Sequence, residues 1–285
     1  MNAILGSIIV IASVIGGFLL SNGQLEALFQ PYELLVIGGS ALGAFIIANP
    51  MRLVLGVLKG IPSLLAGDKY PKQSYLDALA LLFSLFDKAR KDGLMSVEGD
   101  IEAPESSAIF GKYPKLLKDH HAVEFICDYL RLMIAGNVNP FELDNLMSLE
   151  LENHHAEAEQ QSHALTRVAD GLPGFGIVAA VLGIVITMGS LGGPPEEIGH
   201  HVAAALVGTF LGILLAYGFV GPMSIMMEHK AGETAKYFEM IKTCLLASVQ
   251  GYNPKMAVEF GRKAMPSHLR PSFAELEEHI KNSKG

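Results

Sequence analysis

The sequence predicts an all-α integral membrane protein. It has four transmembrane helices, a helical cytoplasmic domain between spans two and three, and a helical cytoplasmic C-terminal tail. The first observation is four apolar stretches of about the twenty residues that a helix needs to cross the roughly 30 Å hydrocarbon layer. The second is composition, because 50% of the 285 residues are hydrophobic and only 18% are charged, below the roughly 25% of soluble domains. The third is that apolar residues recur at helical spacing, and alternating strand patterns are missing.

The first two spans lie close together at the start of the chain. Residues 3–20 form the first and Tyr32 to Pro50 the second. The first stretch lacks the basic residues and the cleavage site of a signal peptide, and its apolar run is longer than usual, so we expect a retained span. Gly38, Gly39 and Gly43 allow close packing of the second span, at a cost in helix propensity.

The last two spans lie in Gly171 to Pro222 and are joined by the acidic turn PPEEIG. Neither apolar run contains Lys, Arg, Asp or Glu. Small residues at four-residue spacing form one flat stripe on a helix, along which a second helix packs closely. The stripe of the fourth span consists of Ala204, Gly208, Gly212 and Ala216.

Two prolines, Pro173 and Pro222, lie at the predicted cytoplasmic ends of spans three and four. One interpretation is that they mark helix boundaries. The other is a paired hinge, because proline removes a backbone hydrogen bond and permits bending. The sequence leaves both interpretations open.

The distribution of positive charge predicts the orientation. All 21 Lys and Arg lie in residues 52–167 or 230–284, and cytoplasmic loops of membrane proteins carry the excess of basic residues. We therefore expect both termini and both long segments in the cytoplasm. The predicted divisions are two spans, a cytoplasmic helical domain, two spans, and cytoplasmic helices with the tail: residues 1–51, 52–170, 171–222 and 223–285.

The cytoplasmic segments read as helices throughout. Asn139-Pro140 is typical of a helix start, and we expect that helix to continue into span three. Asn253-Pro254 predicts another, short helix, and the polar tail from Pro266 is expected to be mobile. Helical apolar spacing marks Ser74–Lys91, Val123–Ile134 and Met223–Val249.

The motifs of enzymes, cofactor sites and nucleic-acid sites are missing. The sequence has no H-E-x-x-H, P-loop, G-x-S-x-G or G-x-G-x-x-G, so we expect no catalysis and no cofactor. The net charge of −8 gives no basic surface for nucleic acid. The spacing of the histidines does not suit a metal, and they occur at His120-His121, His154-His155, His163 and His200-His201.

The spans offer few groups for ion transport. Proton and cation paths usually carry an ionisable residue within the bilayer, but here Glu33 lies at the predicted outer edge of span two. Either the chain transports no ion, or it supplies a hydroxyl-lined wall to a carboxylate of another subunit. The hydroxyls are those of Ser40, Thr187, Ser190, Thr209 and Tyr217.

A charged cluster follows the first cytoplasmic helix in the stretch LFDKARKDGLMSVEGDIE, which includes Arg90 and Glu98. Such runs are usually solvated surface. The functional interpretation is a docking surface for a large partner, where charge complementarity sets register and association rate.

Long stretches of the chain resemble the MotA family of flagellar motor stator subunits, which also includes TolQ and ExbB. They include ELLVIGGSALGAFIIANP, ARKDGLMSVE, ADGLPGFGIVAAVLGIVITMGSLGG, ALVGTFLGILLAYGFVGP and EMIKTCLLASVQGYNPKMAVEFGRKAMP. The resemblance implies a bacterial inner-membrane complex in which a pentamer of such chains surrounds a dimer of a MotB-like protein. That partner is a single-span, peptidoglycan-binding protein that brings the proton-carrying aspartate.

The resemblance also assigns roles to particular residues. Arg90 and Glu98 match charged residues that engage the rotor protein FliG, and Glu150 matches a further charged cytoplasmic position.

For the ion path and its coupling, Pro173 and Pro222 match prolines that couple ion flow to movement, and Thr209 matches a hydroxyl residue near the ion. Thr187 is a further hydroxyl in the third span. Ala180 stands seven residues after the first proline, where sodium-driven relatives tend to have Thr. A methyl cannot replace a water of a Na⁺ shell, so Ala180 favours protons.

Two alternatives remain at this point. A TolQ- or ExbB-like energiser of an outer-membrane system belongs to the same family, but those relatives have three spans. The other alternative is a membrane scaffold without ion flux.

Overall fold

A computed structural model describes residues 2–136, 139–189 and 191–284. The described chain is built from helices, and four of them are long and apolar enough to cross a membrane. The all-α fold with four candidate spans predicted from the sequence is therefore confirmed. The α-helices are α1 (Asn2–Leu20), α2 (Leu25–Leu28), α3 (Pro31–Ala48), α4 (Met51–Leu65), α5 (Lys72–Asp92), α6 (Glu98–Glu102), α7 (Pro114–Leu117), α8 (His120–Ala135), α9 (Pro140–Gly189), α10 (Pro195–Leu215), α11 (Gly221–Val249), α12 (Pro254–Ala264) and α13 (Phe273–Lys284).

The chain forms two compact units, each assembled from two stretches of sequence. The first comprises residues 1–67 and 157–229, and the second comprises 68–156 and 230–285. The predicted divisions of the chain refer to positions relative to a membrane and stay predictions.

The first unit contains the apolar spans. One face of α3 is buried through Ile37 and Ala41, which pack with Leu172, Ala179 and Ala216. Nearer its end, α3 contributes Phe45 to a second cluster shared by α4 and α9. Helix α4 is strongly amphipathic, which explains why only its face with Val54, Val57 and Leu64 is buried.

The second unit has a large apolar core around α5. Residues of α5 are buried on nearly all sides, so this helix is central rather than a surface helix with one apolar stripe. Tyr70 stacks on Tyr237 with ring centroids 3.9 Å apart, and Tyr75 meets the same ring edge-on at 5.1 Å. Such aromatic pairs add to the energy of area burial.

Both predicted Asn-Pro helix starts occur as expected. The Asn139 side chain accepts a hydrogen bond from the Phe141 N–H at 3.0 Å, and α9 then runs 50 residues from Pro140 into the third span. Asn253 accepts from the Met256 N–H at 2.9 Å and begins α12. In both cases a side-chain oxygen satisfies a backbone donor that has no partner within the helix.

The expectation of a mobile tail after Pro266 is wrong. Ser272 and Glu275 form a reciprocal capping box, with backbone-to-side-chain distances of 3.1 and 3.3 Å, which begins α13. Leu276 and Ile280, one turn apart, are then buried in the core of the second unit. The cap and the burial of Leu276 and Ile280 are enough to order the tail, because the core of the second unit already exists to receive them.

Candidate ion path and partner-binding surfaces

Helices α9 and α10 approach each other through glycines. A Cβ on Gly212 would lie 2.7 Å from the Leu172 carbonyl oxygen and 2.8 Å from the Gly176 Cα. A Cβ on Gly176 would lie 3.0 Å from the Gly208 carbonyl oxygen. The small-residue stripe of the fourth span is therefore a packing face against the third span, with backbone against backbone.

The structure brings Ala180 to this crossing. A Cβ on Gly208 would lie 3.1 Å from the Ala179 Cβ, 3.2 Å from Glu33 Oε2 and 3.4 Å from the Ala180 N atom. Thr209 follows Gly208 and is half-buried. The Glu33 carboxylate thus reaches the contact between α9 and α10, whereas the sequence predicted Glu33 at the outer edge of its span.

The hydroxyl of Thr187, unlike the groups at this crossing, is bonded to the backbone of its own helix. Its side chain is buried and its hydroxyl donates to the Gly183 carbonyl of the same helix at 2.8 Å. This bond uses the hydroxyl proton within the chain. Ser190, another hydroxyl of this span, lies outside the described residues.

The two prolines occupy different local structures. Helix α9 continues through Pro173, so the interpretation of this proline as a helix boundary is wrong. Pro222 follows a single π-helical turn, Ala216–Val220, that joins α10 to α11. Proline has no N–H for an α-helical bond and its ring crowds the preceding turn, and a π turn accommodates both defects.

A hydroxyl pair next to Pro222 was missed by sequence reasoning. Thr166 of α9 and Ser224 of α11 lie 3.1 Å apart through their hydroxyl oxygens. Ser224 also donates to the Gly221 carbonyl at 2.8 Å, one turn back. The pair links α9 to the helix that begins at the π turn.

Arg90 and Glu98 are exposed charges at the end of α5 and the start of α6. Within residues 2–136, 139–189 and 191–284, neither side chain has an ion pair or hydrogen bond. Four of the neighbouring charges are paired internally, Lys88 with Asp100 at 2.7 Å and Lys91 with Asp87 at 2.9 Å. Among the described residues the structure therefore separates three charges without an internal partner, Arg90, Asp92 and Glu98, from paired neighbours that look alike in sequence.

A buried network holds the segment that carries Glu98. The Asp100 side chain accepts from Lys88 and from the Ser107 hydroxyl, the latter at 2.5 Å. The Ser107 oxygen accepts in turn from the backbone N–H groups of Ile109 and Phe110. Because each polar group is satisfied, the loop is fixed rather than merely solvated.

A groove of about 500 Å³ lies beside Arg90. Phe86, Leu94, Met133 and Tyr252 contribute its apolar wall. The sequence did not predict this groove. The only local sign of it in the sequence is a glycine after each of the three helices that border the groove. These glycines, Gly93, Gly136 and Gly251, end α5, α8 and α11 with positive φ.

Glu150 has a structural partner. Its carboxylate accepts a hydrogen bond of 2.5 Å from the Tyr129 hydroxyl, whose ring is buried. Burial, together with this bond, raises the pKa of Tyr129 above its usual value. Glu150 therefore differs from Arg90 and Glu98, which lack such partners.

The histidines form no metal site among the described residues, where no group of three His, Cys, Asp or Glu side chains is suitably placed. The rings of His121 and His154 meet edge to face with centroids 5.9 Å apart, and no third His, Cys, Asp or Glu among the described residues completes a site with them.

The helical fold, the four apolar spans and a second helical unit define the class of polytopic α-helical membrane proteins. Family models match residues 4–93, described as Motility protein A N-terminal, and residues 118–240, described as the MotA/TolQ/ExbB proton channel family. The chain is 49% identical over 281 residues to Motility protein A of Salmonella typhimurium, covering 99% of this chain and 95% of that protein. This chain belongs to the MotA/TolQ/ExbB proton channel family, within its motility protein A branch, and the resemblance seen in the sequence is confirmed.

Solved structures share the fold. One is C. jejuni MotAB, with a TM-score of 0.77 and 18% identity, covering 93% of this chain and 96% of that chain. Another is the flagellar MotAB stator complex of Bacillus subtilis, with a TM-score of 0.75 and 21% identity, covering 95% of this chain and 98% of that chain.

Proposed function

We propose that this chain is a stator subunit of the bacterial flagellar motor. With a MotB-like single-span partner it forms a proton channel that couples ion flow to torque on the rotor. The observation that carries the proposal is the full-length similarity to Motility protein A, 49% identical over 281 residues. The fold likeness to MotAB structures supports it. Four spans and matches along the whole chain favour this function over a TolQ- or ExbB-like energiser or an inert scaffold.

The proposed assembly is a homo-oligomer, a pentamer around a dimer of the partner, in the bacterial inner membrane. Large apolar side chains of α9 remain exposed in the isolated chain, among them Ile177, Val181 and Val185. These residues offer surface for neighbouring subunits and lipid. The basic residues favour cytoplasmic termini, with cytoplasmic segments at 52–170 and 223–285 and spans at 1–51 and 171–222.

The proposed ion is the proton. Ala180 lies at the crossing of α9 and α10, where its methyl offers no oxygen to a Na⁺ ion. Thr209 directly follows Gly208 at the same crossing, so its hydroxyl is the one proposed to lie near the ion. Thr187 contributes less directly, because its hydroxyl proton is bonded within α9.

The proposed coupling elements are Pro173 and Pro222. Protonation of the partner's acid changes its preferred contacts, and α9 and α11 carry the change to the cytoplasmic helices. The π turn before Pro222 supports this role, because π turns are sites where a helix rearranges locally.

The coupling role predicts the effect of two substitutions. Pro173→Ala and Pro222→Ala should assemble with the partner but reduce swimming, because the helices regain their regular bonds and resist bending. Co-purification with the partner and swimming speed measure the two effects. Swimming at wild-type speed in both variants would remove the hinge from the mechanism.

The proposed rotor-binding surface consists of Arg90 and Glu98, with the partner FliG. Both charges are unpaired within the described chain, so they are available to a partner without first breaking an internal pair. The apolar groove beside Arg90 offers contact area that charges alone lack. Glu150 has an internal partner, so it supports this surface at most indirectly.

Charge reversal tests the function and this surface together. Arg90→Glu and Glu98→Lys should slow or stop swimming at unchanged protein level, since rim charges steer and orient association. Complementary reversals on the rotor should restore part of the speed. Lys118→Glu, an exposed charge outside the cluster, is the matched control. Normal swimming in both reversals, insensitive to salt, would show that these charges are only solvated surface.

A further inference from the structure

Glu33 is the third residue of α3, and its carboxylate lies over bare helix backbone. Its Oε2 is 3.2 Å from the position that a Cβ on Gly208 would take. Any side chain at position 208 would occupy this space. Gly208 therefore serves two contacts at once, the approach of α9 and the placement of the Glu33 carboxylate.

The carboxylate is level with the middle of the apolar part of α9. The same Gly208 position lies 3.4 Å from the Ala180 N atom. Ala180 is nine residues before Gly189, where α9 ends, which corresponds to about 13.5 Å along the axis at roughly 1.5 Å per residue. That distance approaches half of the roughly 30 Å hydrocarbon thickness. The Glu33 side chain, half-buried within this chain, therefore lies beside the middle of the apolar part of α9.

No partner satisfies this carboxylate inside the part of the chain that the structure describes. Helix α10 carries its titratable groups in the first two turns, Glu196, Glu197, His200 and His201. The stretch of α9 from Gly171 to Gly189 has none, and α4 has its cations, Arg52 and Lys59, beyond the opposite end of α3. An ionised carboxylate without a partner is strongly disfavoured in an apolar environment. Glu33 must therefore hold a proton or meet a group from outside this chain.

We propose that Glu33 is a proton-exchanging carboxylate on the ion path, between the outer water and the acid of the partner subunit. This inference rests on the proposed proton channel and adds a second acid to it. A proton from the outer water binds Oε2 and gives the neutral acid. The O–H bond then breaks as the proton moves to the partner's carboxylate, and the Glu33 carboxylate is restored. Each step forms one O–H bond and breaks one, without change of oxidation state.

Chemical labelling tests whether Glu33 holds a proton. Dicyclohexylcarbodiimide adds to protonated carboxylic acids in apolar surroundings and, after an internal O-to-N shift, leaves a stable adduct. In membranes containing the full complex, mass spectrometry should find the adduct at Glu33, at a rate that rises as the external pH is lowered. Glu26, an exposed glutamate of α2, is the matched control and should remain unlabelled. An unmodified Glu33, or equal labelling of Glu26, would overturn the proposal.

Proton flux tests whether that proton moves. In vesicles containing the complex, Glu33→Gln should lower the flux by about tenfold or more, because an amide keeps the shape but cannot exchange a proton. Glu33→Asp should keep part of the flux and Glu26→Gln all of it. Wild-type flux in a Glu33→Gln complex that co-purifies with its partner would reduce Glu33 to a packing role. If Glu33→Gln fails to assemble, the proposal is tested by Glu33→Asp instead. Partial proton flux and carbodiimide labelling at position 33 in that variant would support it, and wild-type flux without labelling would overturn it. A wild-type complex without proton flux would refute the proposed channel, whereas the labelling would still report the proton on Glu33.

Discussion

A methyl group added at Gly212 tests the close approach of α9 and α10. The new Cβ would meet the Leu172 carbonyl oxygen at 2.7 Å and the Gly176 Cα at 2.8 Å. Both atoms are backbone, so rotation of a side chain cannot relieve the clash. The helices must separate by roughly 0.7 Å or more before ordinary contact at about 3.5 Å is restored. Forced overpacking of this kind typically costs about 1–3 kcal/mol, against roughly 1 kcal/mol gained by replacing Gly with Ala in a helix.

The net expectation for Gly212→Ala is a loss of up to about 2 kcal/mol in the free energy of unfolding. The matched control is Gly39→Ala in α3, where an added Cβ meets no atom within 4 Å. That variant should be neutral or more stable, because only the propensity term remains. Unfolding of both purified variants in the same detergent, followed by circular dichroism, measures the difference. If Gly212→Ala resists unfolding as well as Gly39→Ala, the backbone contact described for α9 and α10 is refuted.

Two further predictions concern acid stability and topology. The side chain of Arg262 bonds both Glu259 carboxylate oxygens, at 2.6 and 2.7 Å, and lowers the pKa of that carboxyl below its usual 4.5. The pair therefore contributes stability above about pH 4.5 that is lost as the pH falls through the lowered pKa. Glu259→Gln should lower the thermal unfolding midpoint at neutral pH and weaken its acid dependence, and an unchanged midpoint would contradict this. For topology, single cysteines at Gln24 and Gly193 should react with an impermeant thiol reagent in intact cells. Labelling of a cysteine at Ser106 would contradict the proposed orientation.

Helix positions could be predicted because their causes are local. Apolar runs of spanning length, basic residues confined to two segments and Asn-Pro helix starts all act within a few turns of chain. The extension of α9 from Pro140 to Gly189 followed from such signals. The same reasoning undervalued the tail, where Ser272 and Glu275 form a capping box that the sequence displays openly. Leu276 and Ile280 are too few buried positions to predict burial of the tail without knowledge of the core that receives them.

The candidate sites were predicted only as positions, without their partners. Sequence placed Arg90 and Glu98 in a charged cluster, but pairing distances were needed to show that Lys88 and Lys91 are satisfied by Asp100 and Asp87. Likewise, Thr187 and Thr209 looked equivalent as hydroxyls in apolar helices. The hydrogen bond within α9 distinguishes Thr187, because a hydroxyl proton used by the backbone cannot also face an ion.

The sequence by itself determined the number of spans, the helical class and the family of this protein, because hydropathy, charge asymmetry and long matching stretches need no knowledge of packing. Tertiary structure alone decided how far one helix is shifted along another. Glu33 illustrates the reason, since its place in α3 fixes its position along that helix but not the level at which α3 meets α9 and α10. That level is set by the backbone contact at Gly208, which holds the carboxylate beside Ala180 rather than at the rim of the span.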